Sequence, residues 1–570
     1  MKLNFISSLI GIVTGLTVAF SIPTFAQTDV TGSVDGHWIA NNSPYYVIGD
    51  VSLSPGDTLI IDPGVVIQFS NAYRFDVYGL LIAEGTEEDS IRFFSGGHIT
   101  GVWTSLRFFD SMTDHSILDY CVIQNANRGI ELDNADIHIS NSNISYHSGL
   151  GIRITGSSPV ISDCIISETG GSGIHVEENS YPIIQNCAIS VSVDHGVAVR
   201  DQSRIILRNS SITQVQDHGV DLTTTAACSL RSNIITLAGE KGIAIQQNNG
   251  TILFRNIVSQ TGGPGIWAQR STNLSIINST TINNDTYGIQ LYETPAIING
   301  NVVAFNGSDG ILNQTGAPRL SYNDVYGNDR ENYNGVARGN TDIIQDPLLD
   351  NDFFPNENSP LIDAGDPRYR DPDGTDIDIG ARFYNQNHAP LITYYYPENL
   401  GWVDINQEVE FSVRATDEDE HQFTITWFVN NERVGEGNSI LHTFTEEGEA
   451  IVRVVVDDGY YMGRTEHIWD FPVSVDEDVP EIPVAFAITG LYPNPFNAHT
   501  KIMLSIPHQG HLTITARDQI GRLVSTVWDN EVSAGAHSYI FDGEGLPTGQ
   551  YFIRARLGNN LISNTLTLIK

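Results

Sequence analysis

Apolar and polar positions recur along the first half of the chain with a fixed period. Gly-Ile or Gly-Val stands at Gly129, Gly151, Gly173, Gly196, Gly219, Gly242, Gly265, Gly288 and Gly310, each step being 22 or 23 residues. The residue after each glycine is aliphatic, from Ile130 and Ile152 to Ile289 and Ile311. Two positions further on come Leu132, Ile154, Val176, Val199, Leu222, Ile245, Ala268 and Leu291, then Asn313. That alternation predicts a short strand with one buried face. A second apolar column lies seven residues before the glycine, at Ile144, Ile166, Ile189, Ile212, Ile235 and Val258, broken at Thr281 and resumed by Val303. Each repeat therefore holds at least two strands.

Strands this short bury an apolar face only if equivalent positions stack on neighbouring repeats, about 4.8 Å apart, as in a solenoid. Leucine-rich repeats have a similar period, but their leucine and asparagine consensus is absent, and the punctuation here is glycine and asparagine. A right-handed parallel β-helix is the expected fold. Ten residues before the glycine stand Asn141, Asp163, Asn186, Asn209, Ser232, Arg255 and Asn278. Asn and Asp tolerate left-handed backbone at tight corners, and stacked amides can hydrogen-bond along a ladder. Cys164 and Cys187 share the next column on adjacent coils. They are read as stacked small residues, since parallel in-register neighbours are poorly angled for a disulfide.

Upstream, Gly49-Asp50-Val51, Pro55-Gly56-Asp57-Thr58-Leu59, Asp62-Pro63-Gly64-Val65 and Val77-Tyr78-Gly79-Leu80 resemble the first coils of bacterial secreted right-handed β-helix proteins. A cap is expected near residues 28–45, because a solenoid needs its open end covered. Tyr322-Asn323-Asp324-Val325-Tyr326-Gly327-Asn328, Asp346-Pro347-Leu348 and Ser359-Pro360-Leu361-Ile362-Asp363-Ala364-Gly365 resemble the closing segment of the same family. The resemblance implies a helix region over 27–385 and says little about activity.

After about Gln386 the strands lengthen and alternate, with turns at 435–437 and at Asp457-Asp458-Gly459, which indicates a β-sandwich over 386–475. Ala415-Thr416-Asp417-Glu418-Asp419, Thr426-Trp427-Phe428 and Val454-Val455-Val456-Asp457 resemble immunoglobulin-like domains of the polycystic-kidney-disease type. The resemblance implies that Trp427 is the buried strand-C tryptophan. Residues 476–485 are acidic and proline-rich, hence an extended linker. Residues 486–570 carry Leu491-Tyr492-Pro493-Asn494-Pro495-Phe496-Asn497, Asp518-Gln519-Ile520-Gly521-Arg522 and Leu546-Pro547-Thr548-Gly549-Gln550-Tyr551-Phe552. Motif by motif this is similar to the C-terminal sorting domain of the bacterial type IX secretion system. It implies a secreted or cell-surface location and the secretion machinery as a partner.

Residues 1–26 agree with export, since Lys2, the apolar run Phe5 to Phe20 and Thr24-Phe25-Ala26 read as a cleaved signal peptide and no retained transmembrane helix is expected. The 68 acidic against 29 basic residues give a formal charge of -39. Long-range repulsion then disfavours nucleic acid. Four cysteines are too few to staple a fold of 570 residues.

The fold class hosts enzymes and adhesins alike, so chemistry must come from residues. The helix region has no Asp-Asp pair and no Arg-x-Lys element at the place where β-helix polygalacturonases carry them, and no catalytic residue is assigned. Asp194-His195-Gly196, Asp217-His218-Gly219 and Glu240-Lys241-Gly242 share one register at a repeat corner. The plain reading is a solvated turn ladder. The sharper one is a carboxylate row for calcium or a cationic sugar, and Asp194, His195, Asp217 and Arg200 are the catalytic candidates should the face prove enzymatic. Glu131, His175, Asp221, Trp267 and Gln290, with Tyr292 in the neighbouring column, point outward beside the glycine strand. Aromatic rings beside polar groups suit sugar binding. Asp371, Asp373, Asp376 and Asp378 give the carboxylate density of a Ca2+ loop without EF-hand spacing. The expected function is an exported protein that binds polysaccharide or another surface component. A polysaccharide lyase or glycoside hydrolase, and a structural or adhesive element, are the alternatives.

Overall fold

The computed structural model describes residues 27–96, 100–110, 113, 115–398, 400–474, 485–558 and 560–569. The expected signal peptide and nearly all of the 476–485 linker lie outside these. The chain divides into two compact units, Met1–Asn385 and Gln386–Lys570.

The first unit is a parallel β-helix in which each coil contributes three strands. In one coil these are Val160–Ser162, Ile165–Thr169 and Ile174–Glu177. Each pairs in register with its equivalent on the next coil, Ile161 with Ile184, Ile166 with Ile189 and Ile174 with Val197. The inward residues Ile161, Ile166, Ile174 and Val176 have no exposed surface and stack into one continuous core. Two of the three strands are those the apolar columns predict. The third, in a thirteen-stranded parallel sheet of its own among the described residues, has the inward column Ile139, Ile161, Ile184, Leu207, Leu230 and Leu253.

The corners obey the polar column. Asn141, Asp163, Asn186, Asn209, Ser232, Arg255 and Asn278 all have positive φ, between 44° and 57°. Ser232 and Arg255 adopt it because the neighbouring rungs fix the corner, although their side chains do not favour it. The continuous amide ladder lies one residue further on. Asn233 Nδ2 donates to Asn256 Oδ1 at 2.9 Å, and Asn301 Nδ2 to Asn323 Oδ1 at 3.0 Å, all four residues being buried. Cys164 and Cys187 stand earlier in the same column, after Cys121 and Ser142, as buried free thiols.

The ends differ from expectation. Thr28–Ser33 and Gly36–Trp38 pair in parallel with Tyr45–Leu53 and Thr58–Ile61, so residues 28–38 are already a rung. Trp38 and Tyr45 stack at 4.5 Å inside it. At the other end the closing segment runs back along the outside of the last coils. Leu361 and Ile379 pack on Ile282, Val302 and Ala304, and Gly380 N donates to Gly300 O at 2.7 Å. This cover is why Thr280–Ile282 and Val302–Ala304 are buried on both faces.

The second unit holds two separate β cores. Residues 391–474 form a three-stranded and a five-stranded sheet around Phe411, Trp427, Val454 and Trp469. Trp427 is fully buried and its Nε1 donates to Gly437 O at 2.7 Å. Residues 487–568 form a three-stranded and a four-stranded sheet around Ile502, Ile514, Phe541 and Ile553. No helix among the described residues is long and apolar enough to cross a membrane.

Candidate functional site

The strands led by glycine present one outward column that the pairing register orders as Asp76, Arg107, Glu131, Arg153, His175, Ala198, Asp221, Ala244, Trp267 and Gln290. Five of the six residues expected to bind sugar thus lie on one line, and Tyr292 follows two residues after Gln290 in the adjacent column. The first coils of the column carry separate ion pairs, Arg107 with Asp76 and Arg153 with Glu131. Glu131 accepts from Ser105 at 2.7 Å and Arg128 at 2.9 Å, and Arg153 Nε donates to Glu177 Oε1 at 2.8 Å. Burial raises Glu177, but the bond to Arg153, the charge of Arg153 and the neighbouring His175 together outweigh this and hold the carboxyl below its ordinary value. His175, 3.4 Å from Glu177, is lowered chiefly by burial.

The chemistry concentrates two coils further on. Ala198 and Ala244 flank Asp221 in the pairing register. Asp221 is 8% exposed; its Oδ2 lies 2.7 Å from Arg200 Nη2 and 3.4 Å from His195 Nε2, and its Oδ1 accepts from Thr223 Oγ1 at 2.9 Å. His195 is 7% exposed, whereas the Asp194 and Glu240 side chains of the same ladder stay largely in solvent. Its ring is wedged among Asp194, Asp217 and Asp221 instead of facing water. On the next coil His218 sits 2.8 Å from Asp217, and Lys241 Nζ lies 3.3 Å from His218 Nε2 and 5.0 Å from the Trp267 ring centre. Burial first, then the Lys241 ammonium, pushes His218 below its usual value.

All four catalytic candidates therefore converge within three coils. The sequence puts His218 and Lys241 in register with His195 and offers Lys241 beside Arg200 as a base, but His218 was not among the candidates.

Asp371, Asp373, Asp376 and Asp378 do not converge. Asp371 pairs with Arg255 and accepts from Asp378 N at 2.7 Å, Asp373 accepts from Thr375 Oγ1 at 2.7 Å, and Asp376 pairs with Arg370. Asp378 accepts from Asp363 N and Tyr384 N at 2.7 Å each. Burial raises Asp371 to about 6 and Asp378 to about 7. These carboxylates pin the closing segment, and among the described residues no three of them bring potential ligand atoms together as Asp417, His421 and Asp458 do. Beside them lies a cavity of ≈ 720 Å³, bordered by Phe254, Ile297, Arg319, Tyr369 and Arg370.

Comparison with known proteins fits this architecture. Residues 111–236 and 191–330 match the family described as right handed beta helix region, and 490–569 match the secretion system C-terminal sorting domain. The chain thus carries a right-handed parallel β-helix region and a C-terminal type IX sorting domain, which marks it as a secreted, cell-surface protein. No curated protein sequence matches it. Among solved structures it is similar to the periplasmic alginate epimerase AlgG, at 11% identity and TM-score 0.34, covering 53% of this chain and 76% of that one. It is also similar to the Azotobacter vinelandii mannuronan C-5 epimerase AlgE6 A-module, at 12% identity and TM-score 0.38, covering 51% and 91%. The Clostridium thermocellum CbhA fibronectin(III)-like modules match at 12% identity and TM-score 0.14, covering 32% and 93%. Identities and scores this low transfer no residue role to this chain.

Proposed function

We propose that the protein binds a polysaccharide along the outward face of its glycine-led strands. The observation that carries this is the single column ending in Asp221, Trp267 and Gln290, with Tyr292 beside it. Aromatic rings supply apolar faces for sugar rings, and fixed acids, amides and cations supply hydroxyl partners. Lys241 occupies one face of Trp267 and holds the indole in place, which lowers the entropy cost of binding. The test is a glycan array on the full chain with and without calcium, followed by titration of the Trp267→Ala and Tyr292→Ala variants. Binding weakened at least about tenfold by Trp267→Ala, a loss of about 1.4 kcal/mol, supports the reading. Binding unchanged in both variants sinks it.

A second reading, a polysaccharide lyase or glycoside hydrolase, is favoured by the chain from half-buried Arg200 through buried Asp221 to buried His195, because an oriented imidazole beside a carboxylate suits proton transfer. Reducing-end and unsaturated-uronate assays on array-positive glycans decide it. Product that disappears in His195→Gln would establish catalysis.

A further inference from the structure

One outward column of the thirteen-stranded sheet changes character where the closing segment lies over it. In register order it reads Ser140, Ser162, Gln185, Arg208 and Arg231, then Phe254 and Ile277, then Asn299 and Ser321. The second outward column brings Ile297 to the same level and ends at Arg319. Residues 366–377 of the closing segment border the opposite side without filling the space, and the cavity of ≈ 720 Å³ remains between them and the sheet. Ile297 and Tyr369 border it while 49% and 55% exposed. Single apolar residues are ordinary on a surface, but apolar groups of a sheet and of a separate segment bordering one hollow mark a place for a ligand. The volume falls in the range of about 300–1,000 Å³ typical of small-molecule sites.

The charges around the cavity are unevenly matched. Arg255 is held by Asp371, Arg368 by Asp366 and Arg370 by Asp376. Arg319, the fourth arginine at the border, makes no ion pair or hydrogen bond with a described residue. In a chain of formal charge -39, an unmatched guanidinium beside an apolar hollow favours an anion. Ser321 stands two residues from Arg319 on the same strand face. Its Oγ accepts from Asn299 Nδ2 at 2.8 Å, which leaves the hydroxyl proton to donate. We infer that this groove binds a small amphipathic anion, a body of about two rings carrying one carboxylate or sulfonate. The body lies on Phe254, Ile277 and Ile297, and the charge meets Arg319 and Ser321. Rungs are about 4.8 Å apart, so the two steps from the strand of Ile277 to that of Arg319 span about 10 Å, the length of such a molecule.

The groove lies on a different sheet from the proposed glycan face, so neither reading depends on the other. The full chain is titrated with anilinonaphthalene sulfonate, followed by fluorescence, and with phenylnaphthylamine, which has the same rings and no sulfonate. The wild type should bind the sulfonate and take the neutral probe at least about fivefold more weakly. This comparison needs no variant. Arg319→Gln should erase the difference by weakening the sulfonate alone, and Ile297→Glu should weaken both probes at least about fivefold. Both substitutions fall on exposed side chains, so the coils should fold as before. Bound sulfonate should also slow hydrogen exchange of the amides in 366–377, which locates it. No sulfonate binding by the wild type, equal affinity for the two probes, unchanged exchange in 366–377, or variants that bind as the wild type does overturns the assignment. Equal affinity would give the groove to an uncharged occupant, and unaffected variants would put the probe on another surface.

Discussion

Replacing Gly219 by alanine probes the rule on which the repeat rests. Its backbone does not need positive φ; what it needs is space. A Cβ at this position would sit 2.4 Å from Ile235 Cγ2 and 2.6 Å from the Gly242 carbonyl oxygen of the next coil. Overpacking of this kind costs about 1–3 kcal/mol, and the upper end applies because one obstacle is backbone in a stacked rung. Alanine returns about 0.5–1 kcal/mol by restricting the unfolded chain. The net loss is about 2 kcal/mol, or roughly 30-fold in an opening equilibrium. Hydrogen exchange of peptides spanning 197–246, read by mass spectrometry, isolates the solenoid from the two β cores downstream. The slowest amides of Val220–Thr224 and Ile234–Thr236 should exchange about 30-fold faster in Gly219→Ala. The penalty should shrink in an Ile235→Ala background, where the nearer obstacle is gone. Exchange indistinguishable from the wild type would refute the claim that the glycine column exists to let coils close on one another.

Three further outcomes follow from buried polar groups. Asp324 has no exposed surface, and burial raises its carboxyl to about 7 from 3.8. The folded state therefore holds an extra proton between these values, and stability falls as pH rises from about 4 to about 7 and then levels. Asp324→Asn should flatten that slope and gain about 2–4 kcal/mol at pH 8 in urea unfolding, with no gain at pH 4; an unchanged slope contradicts it. Asn256→Ala removes the acceptor for Asn233 N and Nδ2 and the donor to Leu230 O, and should cost about 2–4 kcal/mol, whereas a loss below about 0.5 kcal/mol would mean the ladder is not stabilising. Burial raises the thiols of Cys121 and Cys228, and none of the four cysteines is paired. A thiol reagent should label none of them in the native protein and all four after denaturation.

The fold was readable because a solenoid repeats one constraint on every coil. The Gly-Ile pair marks the closest approach between coils, and the asparagine column marks a corner with positive φ, so both recur at fixed spacing. The third strand escaped notice because it is only three residues long in most coils and shows a single inward residue, as at Ile161 and Leu207. The amide ladder was displaced by one position because Asn and Asp serve both corner and ladder, and only burial separates Asn256 from its neighbour Arg255. The site was half legible. Register alone aligns Asp194, Asp217 and Glu240, but the burial of His195 beside Asp221 is a matter of side-chain packing between coils. For the 371–378 carboxylates local density says nothing about direction: Asp371 and Asp378 turn to backbone amides, and Asp371 and Asp376 to arginines.

The most direct measurement of the account is glycan binding by the intact chain, compared with Trp267→Ala. The account predicts retention of at least one polysaccharide by the wild type and at least about a tenfold weaker complex for the variant, with both proteins equally folded by circular dichroism. A wild type that binds no polysaccharide, or a variant that binds as well as the wild type, would contradict it and leave the face as a structural surface.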